Sequence, residues 1–264
     1  MSGFRLEFVS KIVVFDSGLG SLSIINAIQK ISKSDIIYFA DQQNFPYGNK
    51  SQTQLDSIIK NSIKTLQALF SPDVLVMASN TPSLILNLST NKVIGVKPPL
   101  KEACKISKSK KIGILGTKSA IKSKGLLKYI KEGNFSKSYK IFKINGSDLI
   151  DLVESGKFIT NKQYCKKIIK KVLNDIISKN SIDTITLSST HLPFLKSLLD
   201  NEFPNVEFID PGHIVAKKVF KVIKNNQSKR NSLKIFTSGN PINLKRNLIK
   251  LKIKNKISFL AIWL

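Results

Sequence analysis

Short apolar runs separated by longer amphipathic segments recur along the chain, and they predict an α/β fold. Val74–Met77 is apolar, partly β-branched and too short for a helix, which is typical of a buried strand in a parallel sheet. Comparable runs lie at residues 11–15, 35–39, 93–96, 112–115, 140–144, 206–209, 233–237 and 257–262, and in the stretch that follows Asp183. Between them, helical periodicity is clear at residues 55–69 and 163–178, and a last helix is expected to end near Lys224.

The predicted elements fall into two similar series. The first series ends at Lys97, where two prolines mark a predicted hinge, and a second series of strands begins at Lys111. The last two strands are expected to return to the first sheet. We therefore predict two similar parallel-sheet α/β lobes, residues 1–97 plus 211–264 and residues 98–210, with the ligand cleft between them.

Polar residues follow two of the predicted strands in the same order. A serine lies six residues after Asp73 and again six residues after Asp183, and threonine and proline follow in both copies. In open α/β sheets, ligands bind at the carboxyl ends of strands, where helix amino termini begin. Ser79 and Ser189 are therefore predicted to mark two equivalent half-sites that face one ligand.

Two loops in the first half of the chain allow alternative interpretations. The first predicted strand runs into the glycine loop 16–21, but this loop lacks the third glycine of a dinucleotide fingerprint and the ending of a phosphate-binding loop. Asp16 is either a helix cap or a buried acid that faces the ligand. The polar loop 40–51 either folds over a ligand, with backbone amides at Tyr47 and Gly48, or is an ordinary surface loop.

The chain of 264 residues carries a formal net charge of +26. Lysines account for nearly all of the 43 basic residues and are spread along the whole chain, which favours a solvated lysine-rich surface over a nucleic-acid site. Nucleic-acid binding beyond non-specific electrostatics is therefore the weaker hypothesis. The charge is expected to favour anionic substrates and to cause salt-sensitive adhesion to polyanions.

Two further features bear on location and metal chemistry. Apolar stretches stay well short of the roughly 20 residues that a membrane span needs, and residues 1–10 lack the apolar core of a signal peptide, so we expect a cytoplasmic protein without a membrane partner. Cys104 and Cys165 lie far apart on helix-like segments without ligands at metal spacing. We expect both to serve in packing, with no metal site.

Six short motifs occur in one order along nearly the whole chain and together resemble the glutamate racemase family, within the wider aspartate/glutamate racemases. They are Asp16-Ser17-Gly18, Pro46-Tyr47-Gly48, Ser79-Asn80-Thr81, Gly116-Thr117, Glu154 and Ser189-Thr190-His191. The resemblance implies an amino-acid racemase that needs no cofactor and holds glutamate between its two lobes. It also implies a possible homodimer and a supply of D-glutamate for peptidoglycan.

The resemblance implies a role for each matched residue. In the family, one thiol removes the α-proton from one face of glutamate and a second thiol reprotonates the other face. Asp16 matches the position beside the first thiol, and His191 and Glu154 match positions beside the second. Hydroxyl, amide and backbone donors suit the carboxylates and ammonium of an amino acid. The residues matched to substrate binding are Ser17, Tyr47, Gly48, Asn80, Thr81, Thr117 and Thr190.

The chain departs from the family where the two thiols are expected, because Ser79 and Ser189 stand at those positions. The pKa of a thiol is about 8.5, whereas the pKa of a hydroxyl is close to that of water, about 15.7. The hydroxyl is therefore harder to ionise by roughly 10 kcal/mol. Rates fall tenfold for about every 1.36 kcal/mol, so we expect weak or lost racemisation. Other matched positions also differ: Ser21 and Ser188 replace glycine, Pro82 replaces alanine and Ala120 replaces a threonine.

Three functional hypotheses follow. The protein is a racemase with weak or unconventional chemistry at Ser79 and Ser189, or a catalytically inactive relative that binds an acidic amino acid or a partner protein. The third hypothesis is acyl transfer by Ser189 and His191. A Gly-x-Ser-x-Gly elbow is missing and these two residues are only two positions apart, which argues against it. His191 taken alone also fits a helix-start residue bonded to backbone.

Overall fold

The computed structural model describes residues 10–86, 88–224 and 226–262, which form two parallel sheets flanked by helices. The strands are β1 (Lys11–Asp16), β2 (Asp35–Ala40), β3 (Val74–Met77), β4 (Val93–Gly95), β5 (Lys111–Gly116), β6 (Lys140–Asn145), β7 (Thr184–Ser188), β8 (Glu207–Ile209), β9 (Ser232–Thr237) and β10 (Ile257–Phe259). The helices are α1 (Ser21–Ile31), α2 (Gln52–Phe70), α3 (Asn80–Ile85), α4 (Leu100–Ile106), α5 (Lys118–Lys122), α6 (Lys124–Glu132), α7 (Ser147–Glu154), α8 (Lys157–Thr160), α9 (Lys162–Asn180), α10 (Lys196–Glu202), α11 (Gly212–Ile223) and α12 (Pro241–Lys250).

The first sheet has the strand order β10-β9-β2-β1-β3-β4, and its neighbours pair in parallel. Successive side chains of its central strand point to opposite faces of the sheet and pack in two apolar layers. Ile12 and Val14 pack with α1 and α11 on one face, while Val13 and Phe15 pack with α2 on the other. All four side chains are fully buried, so β1 is the centre of this lobe.

The second sheet is smaller, with the parallel order β6-β5-β7-β8. In both sheets a central strand pairs on either side with strands that end almost level with it. Asp16 at the end of β1 is in register with Ala40, and Gly116 at the end of β5 is in register with Ser188. The polar residues that follow these strands therefore gather at one edge of each sheet.

The sequence-based elements agree with the structure closely, and the two parallel-sheet α/β lobes are confirmed. Most predicted strand and helix ends lie within one or two residues of the observed ends. The predicted lobe boundaries fall between β4 and α4 and between β8 and α11, and they stay a prediction. Cys104 and Cys165 lie on α4 and α9, half-buried and buried respectively, as expected.

Two elements near the end of the chain differ from the prediction. The strand expected at residues 257–262 stops at Phe259, because its neighbour β9 ends at Thr237, the residue that pairs with Phe259. Helix α12 was not predicted. Its buried side chains are Leu244 and Leu248, a short apolar signal among polar residues. In the described part of the chain, no helix combines the length and the apolarity that a membrane crossing requires.

Candidate active site

The glycine loop after β1 brings Asp16 to the junction of the two lobes. Asp16 is buried, and its Oδ1 accepts a hydrogen bond of 2.7 Å from the backbone N–H of Ser17. A Cβ atom at Gly20 would lie only 2.8 Å from Asp16 Oδ2 and 2.9 Å from His191 Cε1. Glycine is therefore required at position 20 by this close approach of a carboxylate and an imidazole from opposite lobes.

Burial raises the pKa of Asp16 to about 6, and the nearby charge of Glu154 adds to this rise. The charge of His191, the N–H of Ser17 and a hydrogen bond with Ser79 all act in the opposite direction. Asp16 is consequently ionised at neutral pH and protonated in mild acid. The Ser79 side chain therefore lies close enough to Asp16 to lower the pKa of this carboxyl.

The segment after β3 carries a buried amide without partners. Asn80 begins α3 and is 3% exposed, and neither its Oδ1 nor its Nδ2 has a hydrogen-bond partner in the described part of the protein. Buried polar atoms are nearly always paired, so an orphaned amide at a strand end indicates that a ligand completes its bonding. Ser83 holds this segment in place, because its hydroxyl donates to the Ser79 carbonyl at 2.6 Å and accepts from the Val96 N–H at 2.9 Å.

A chain of hydroxyl groups crosses from one lobe to the other beside Asn80. Thr81 Oγ1 lies 3.1 Å from Thr117 Oγ1, which in turn lies 3.2 Å from Ser119 Oγ. Thr117 also caps α5 by accepting the Ala120 N–H at 3.1 Å. The two contacts use two of the three O–H hydrogens, so the chain of hydroxyls keeps one donor that a carboxylate can recruit.

The loop after β7 packs directly against the end of β3. The Thr190 hydroxyl lies 3.1 Å from the Ala78 carbonyl oxygen and 3.5 Å from Asp16 Oδ2. The Ser23 hydroxyl of α1 reaches the Thr190 carbonyl oxygen at 2.7 Å. Ala78 directly precedes Ser79, and Thr190 directly follows Ser189. The contact between Ala78 and Thr190 therefore brings the two strand ends to one place. Ser79 is 9% exposed there and Ser189 is 5% exposed.

His191 and Glu154 form a buried pair beside Ser189. The imidazole Nε2 bonds to Glu154 Oε1, which also accepts the Leu19 N–H at 2.9 Å, and Ser189 Oγ lies 3.5 Å from the imidazole Nδ1. Burial by itself would lower the pKa of His191, but the charge and hydrogen bond of Glu154 outweigh it and raise that pKa. Burial likewise opposes ionisation of Glu154, yet His191 holds the pKa of this carboxyl below its ordinary value. Each partner therefore stabilises the charged form of the other, an imidazolium beside a carboxylate.

The loop of residues 42–49 forms two short 3-10 turns and contacts the second lobe. Tyr47 is buried, and its hydroxyl donates to Asp41 Oδ2 at 2.9 Å, so its backbone rather than its hydroxyl is left for a ligand. A Cβ atom at Gly48 would lie 3.1 Å from Ser119 Oγ, which places this loop against α5. This packing favours the interpretation in which the loop folds over the cleft, which stays a prediction.

Asp41 and Ser119 belong to this region but were missed by the sequence analysis. Asp41 directly follows β2 at the same sheet edge as Asp16, which was the available signal. Ser119 follows the end of β5 in the polar run Gly116-Thr117-Lys118-Ser119, which was its signal, and it adjoins both Thr117 and Gly48. Among the described residues, no set of three or more His, Cys, Asp and Glu side chains is arranged to hold a metal ion.

Comparisons with known proteins agree with this arrangement. The chain is 34% identical to a glutamate racemase of Sulfurihydrogenibium over 233 residues, an alignment that covers 84% of this chain and 86% of that protein. It is 32% identical to the glutamate racemase of Aquifex pyrophilus over 253 residues, an alignment that covers 91% of this chain and 93% of that protein. The solved glutamate racemase of Escherichia coli superimposes with a TM-score of 0.81 at 22% identity, covering 97% of this chain and 99% of that chain. None of the protein-family models compared with the chain matches it.

The two parallel lobes and the polar strand ends between them have the architecture of the solved amino-acid racemases, among them the glutamate racemase of Aquifex pyrophilus at 29% identity, and the aspartate racemase of Picrophilus torridus shares this fold at a TM-score of 0.57. Within this class, identity above 30% over most of the chain is decisive. The protein belongs to the glutamate racemase family.

The raised pKa of Asp16 predicts a loss of stability as pH rises. The folded protein retains the Asp16 proton up to about pH 6, whereas the unfolded chain releases it near its ordinary pKa of about 3.9. The free energy of unfolding should therefore fall by about 2–3 kcal/mol between pH 4 and 6 on account of this residue, and not change further above that window. Urea unfolding of the native chain and of Asp16→Asn at pH 4, 5, 6 and 7 measures the difference. Parallel curves for the two proteins would contradict the assignment.

Proposed function

We propose that the protein binds glutamate between its lobes and transfers the α-proton of this amino acid without a cofactor, at a rate limited by hydroxyl groups in place of thiols. The observation that carries the proposal is the contact between Thr190 Oγ1 and the Ala78 carbonyl oxygen, which joins the ends of β7 and β3. Two acid-base groups at these ends would approach one α-carbon from opposite sides, as a two-base racemisation requires.

Each half-site supplies its own partner for the proton. In the first, Asp16 is an ionised carboxylate at neutral pH and bonds with Ser79, so it can accept a proton through that hydroxyl. In the second, the imidazole Nδ1 of His191 lies 3.5 Å from Ser189 Oγ, and Glu154 favours the protonated form of this ring, which can deliver a proton. One half-site therefore favours abstraction and the other favours donation.

Ligand binding is assigned to polar groups around the two serines. Asn80 offers an unpaired amide, the linked hydroxyls of Thr81 and Thr117 span both lobes, and Ser17, Tyr47, Gly48 and Thr190 complete the set carried over from the family. Solved relatives were obtained with L-glutamate, for the E. coli protein, and with D-glutamate, for that of Francisella tularensis. The net charge of +26 also favours an acidic ligand.

A second candidate function is favoured by the same two serines. Without an ionisable thiol at Ser79 or Ser189, the chain would be a catalytically inactive relative that binds an acidic amino acid or a protein partner. A homodimer, a cytoplasmic location and a role in peptidoglycan supply likewise follow from the family and stay predictions.

Deuterium exchange distinguishes the two candidates. We expect the protein in heavy water to replace the α-proton of L- and D-glutamate slowly but above the background of Ser79→Ala/Ser189→Ala. Thermal unfolding with each ligand is recorded in parallel. Stabilisation by glutamate without exchange would support the inactive binder, and the absence of both effects would overturn the proposal.

A further inference from the structure

We infer that Asp41 is a positioning residue that fixes the loop of Tyr47 and Gly48 at the ligand cleft by tying it to the end of β9. This inference deepens the proposed function and rests on it. Asp41 does not itself touch the two serines. It acts through the loop that the family resemblance assigns to substrate binding.

The Asp41 carboxylate is fully buried and is saturated by neutral donors. Tyr47 donates its hydroxyl to Oδ2 at 2.9 Å, Ser238 donates to Oδ1 at 2.8 Å, and the Asn44 amide lies 3.0 Å from both oxygens. A carboxylate can accept about four hydrogen bonds, and these contacts use that capacity. With its acceptor sites occupied in this way, Asp41 is suited to hold the loop.

The base of the loop is attached at two points of the first sheet. The Asp41 N–H donates to the Asp16 carbonyl oxygen at 2.8 Å, so the loop starts directly beside the first half-site. Ser238, which lies 197 residues after Asp41 in sequence, accepts the Gln43 N–H at 3.1 Å and donates its own N–H to the Ala40 carbonyl oxygen at 3.1 Å. These bonds join the loop to the end of β9.

The far end of the loop faces the second lobe. Tyr47 is held by Asp41 on one side, while the next residue, Gly48, approaches the Ser119 hydroxyl on α5. Loss of the bond between Tyr47 and Asp41 would remove this anchor and leave the Gly48 backbone free to shift relative to Thr117 and Thr81. Ligand affinity should therefore depend on the Asp41 carboxylate although Asp41 lies behind the cleft.

The experiment compares Asp41→Asn, Ser238→Ala and the control Asp56→Asn, which alters an exposed carboxylate on α2 paired with Lys60. Asparagine keeps the shape of the side chain but presents an NH₂ group to donors that need an acceptor. Hydrogen exchange is followed for residues 42–50, and the dissociation constant of glutamate is measured by calorimetry. Exchange kinetics of the α-proton separate KM from kcat.

We expect residues 42–50 to exchange at least about tenfold faster in both variants, with β1 and β3 unchanged, because local opening becomes easier. The dissociation constant and KM should rise about tenfold, while kcat stays within about threefold. Asp56→Asn should match the native chain. If Asp41→Asn fails to fold, Ser238→Ala, which removes one hydroxyl, carries the test.

Faster exchange with unchanged glutamate affinity would overturn the inference, since the role of Asp41 would then be structural only. Unchanged exchange and affinity would overturn it as well. If the native chain binds no glutamate, the proposed function fails by itself. In that case, release of residues 42–50 in the variants would still support the anchoring of the loop, and unchanged exchange would refute it.

Discussion

Replacing Ser79 and Ser189 together by cysteine is expected to raise the rate of glutamate racemisation by at least about a thousandfold. The gain corresponds to about 4 kcal/mol of the roughly 10 kcal/mol that separates ionisation of an alcohol from that of a thiol. The partners that a thiolate needs are already present, because Asp16 adjoins Ser79, and His191 with Glu154 adjoins Ser189. Racemisation is followed by circular dichroism from either enantiomer.

Single substitutions make this test more specific. Ser79→Cys or Ser189→Cys alone should accelerate α-deuterium exchange of one glutamate enantiomer only, because each residue is expected to serve one face of the α-carbon. Ser119→Cys is the matched control, since Ser119 lies at the cleft but outside the two half-sites. A double variant that binds glutamate normally and gains no rate would show that other changes in the chain have disabled the site.

Replacing Asn80 by alanine is expected to weaken glutamate binding about 100-fold without lowering the stability of the fold. Hydrogen bonds to charged groups contribute about 1.5–3 kcal/mol, and Asn80 has both polar atoms unpaired and available for a ligand. Among the described residues the same amide is buried without a partner, so its removal should leave the free energy of unfolding unchanged or raise it by about 1 kcal/mol. Calorimetry and urea unfolding measure the two quantities.

The matched control is Asn174→Ala, an exposed position on α9 far from the cleft, where glutamate affinity should not change. Asn80→Ala would contradict our assignment if it destabilised the protein by several kcal/mol while glutamate affinity stayed the same. That outcome would mean that Asn80 supports the fold and not the ligand.

The contrast between Asn80 and Asp41 illustrates how function is built into this fold. Both residues follow strands of the first sheet and both are buried, yet within the described ranges Asp41 has its acceptor sites filled and the Asn80 amide has no hydrogen-bond partner. A buried polar group with all its hydrogen bonds made stabilises the local structure. A buried polar group without partners lowers the stability of the fold but can form hydrogen bonds with a ligand. The first is expected at the support of a site and the second at its centre.

Local patterns in the sequence were sufficient for most of the secondary structure. Apolar runs such as Val74–Met77 report burial on both faces of a strand, and helical spacing reports one buried face, so both can be recognised within a few residues. The same patterns placed Ser79 and Ser189 at strand ends. Helix α12 escaped because its buried side chains, Leu244 and Leu248, form too short a series to be distinguished from a loop.

The sequence by itself therefore determined the alternation of strands and helices, the two parallel lobes and the polar residues that end their central strands. Only the tertiary structure decided which of those residues meet. Thr190 contacts Ala78 across 112 residues, Leu19 reaches Glu154 across 135, and Ser238 bonds to Asp41 across 197. The physical reason is that periodicity reflects burial, a local property, whereas such contacts depend on strand order and on how the lobes close.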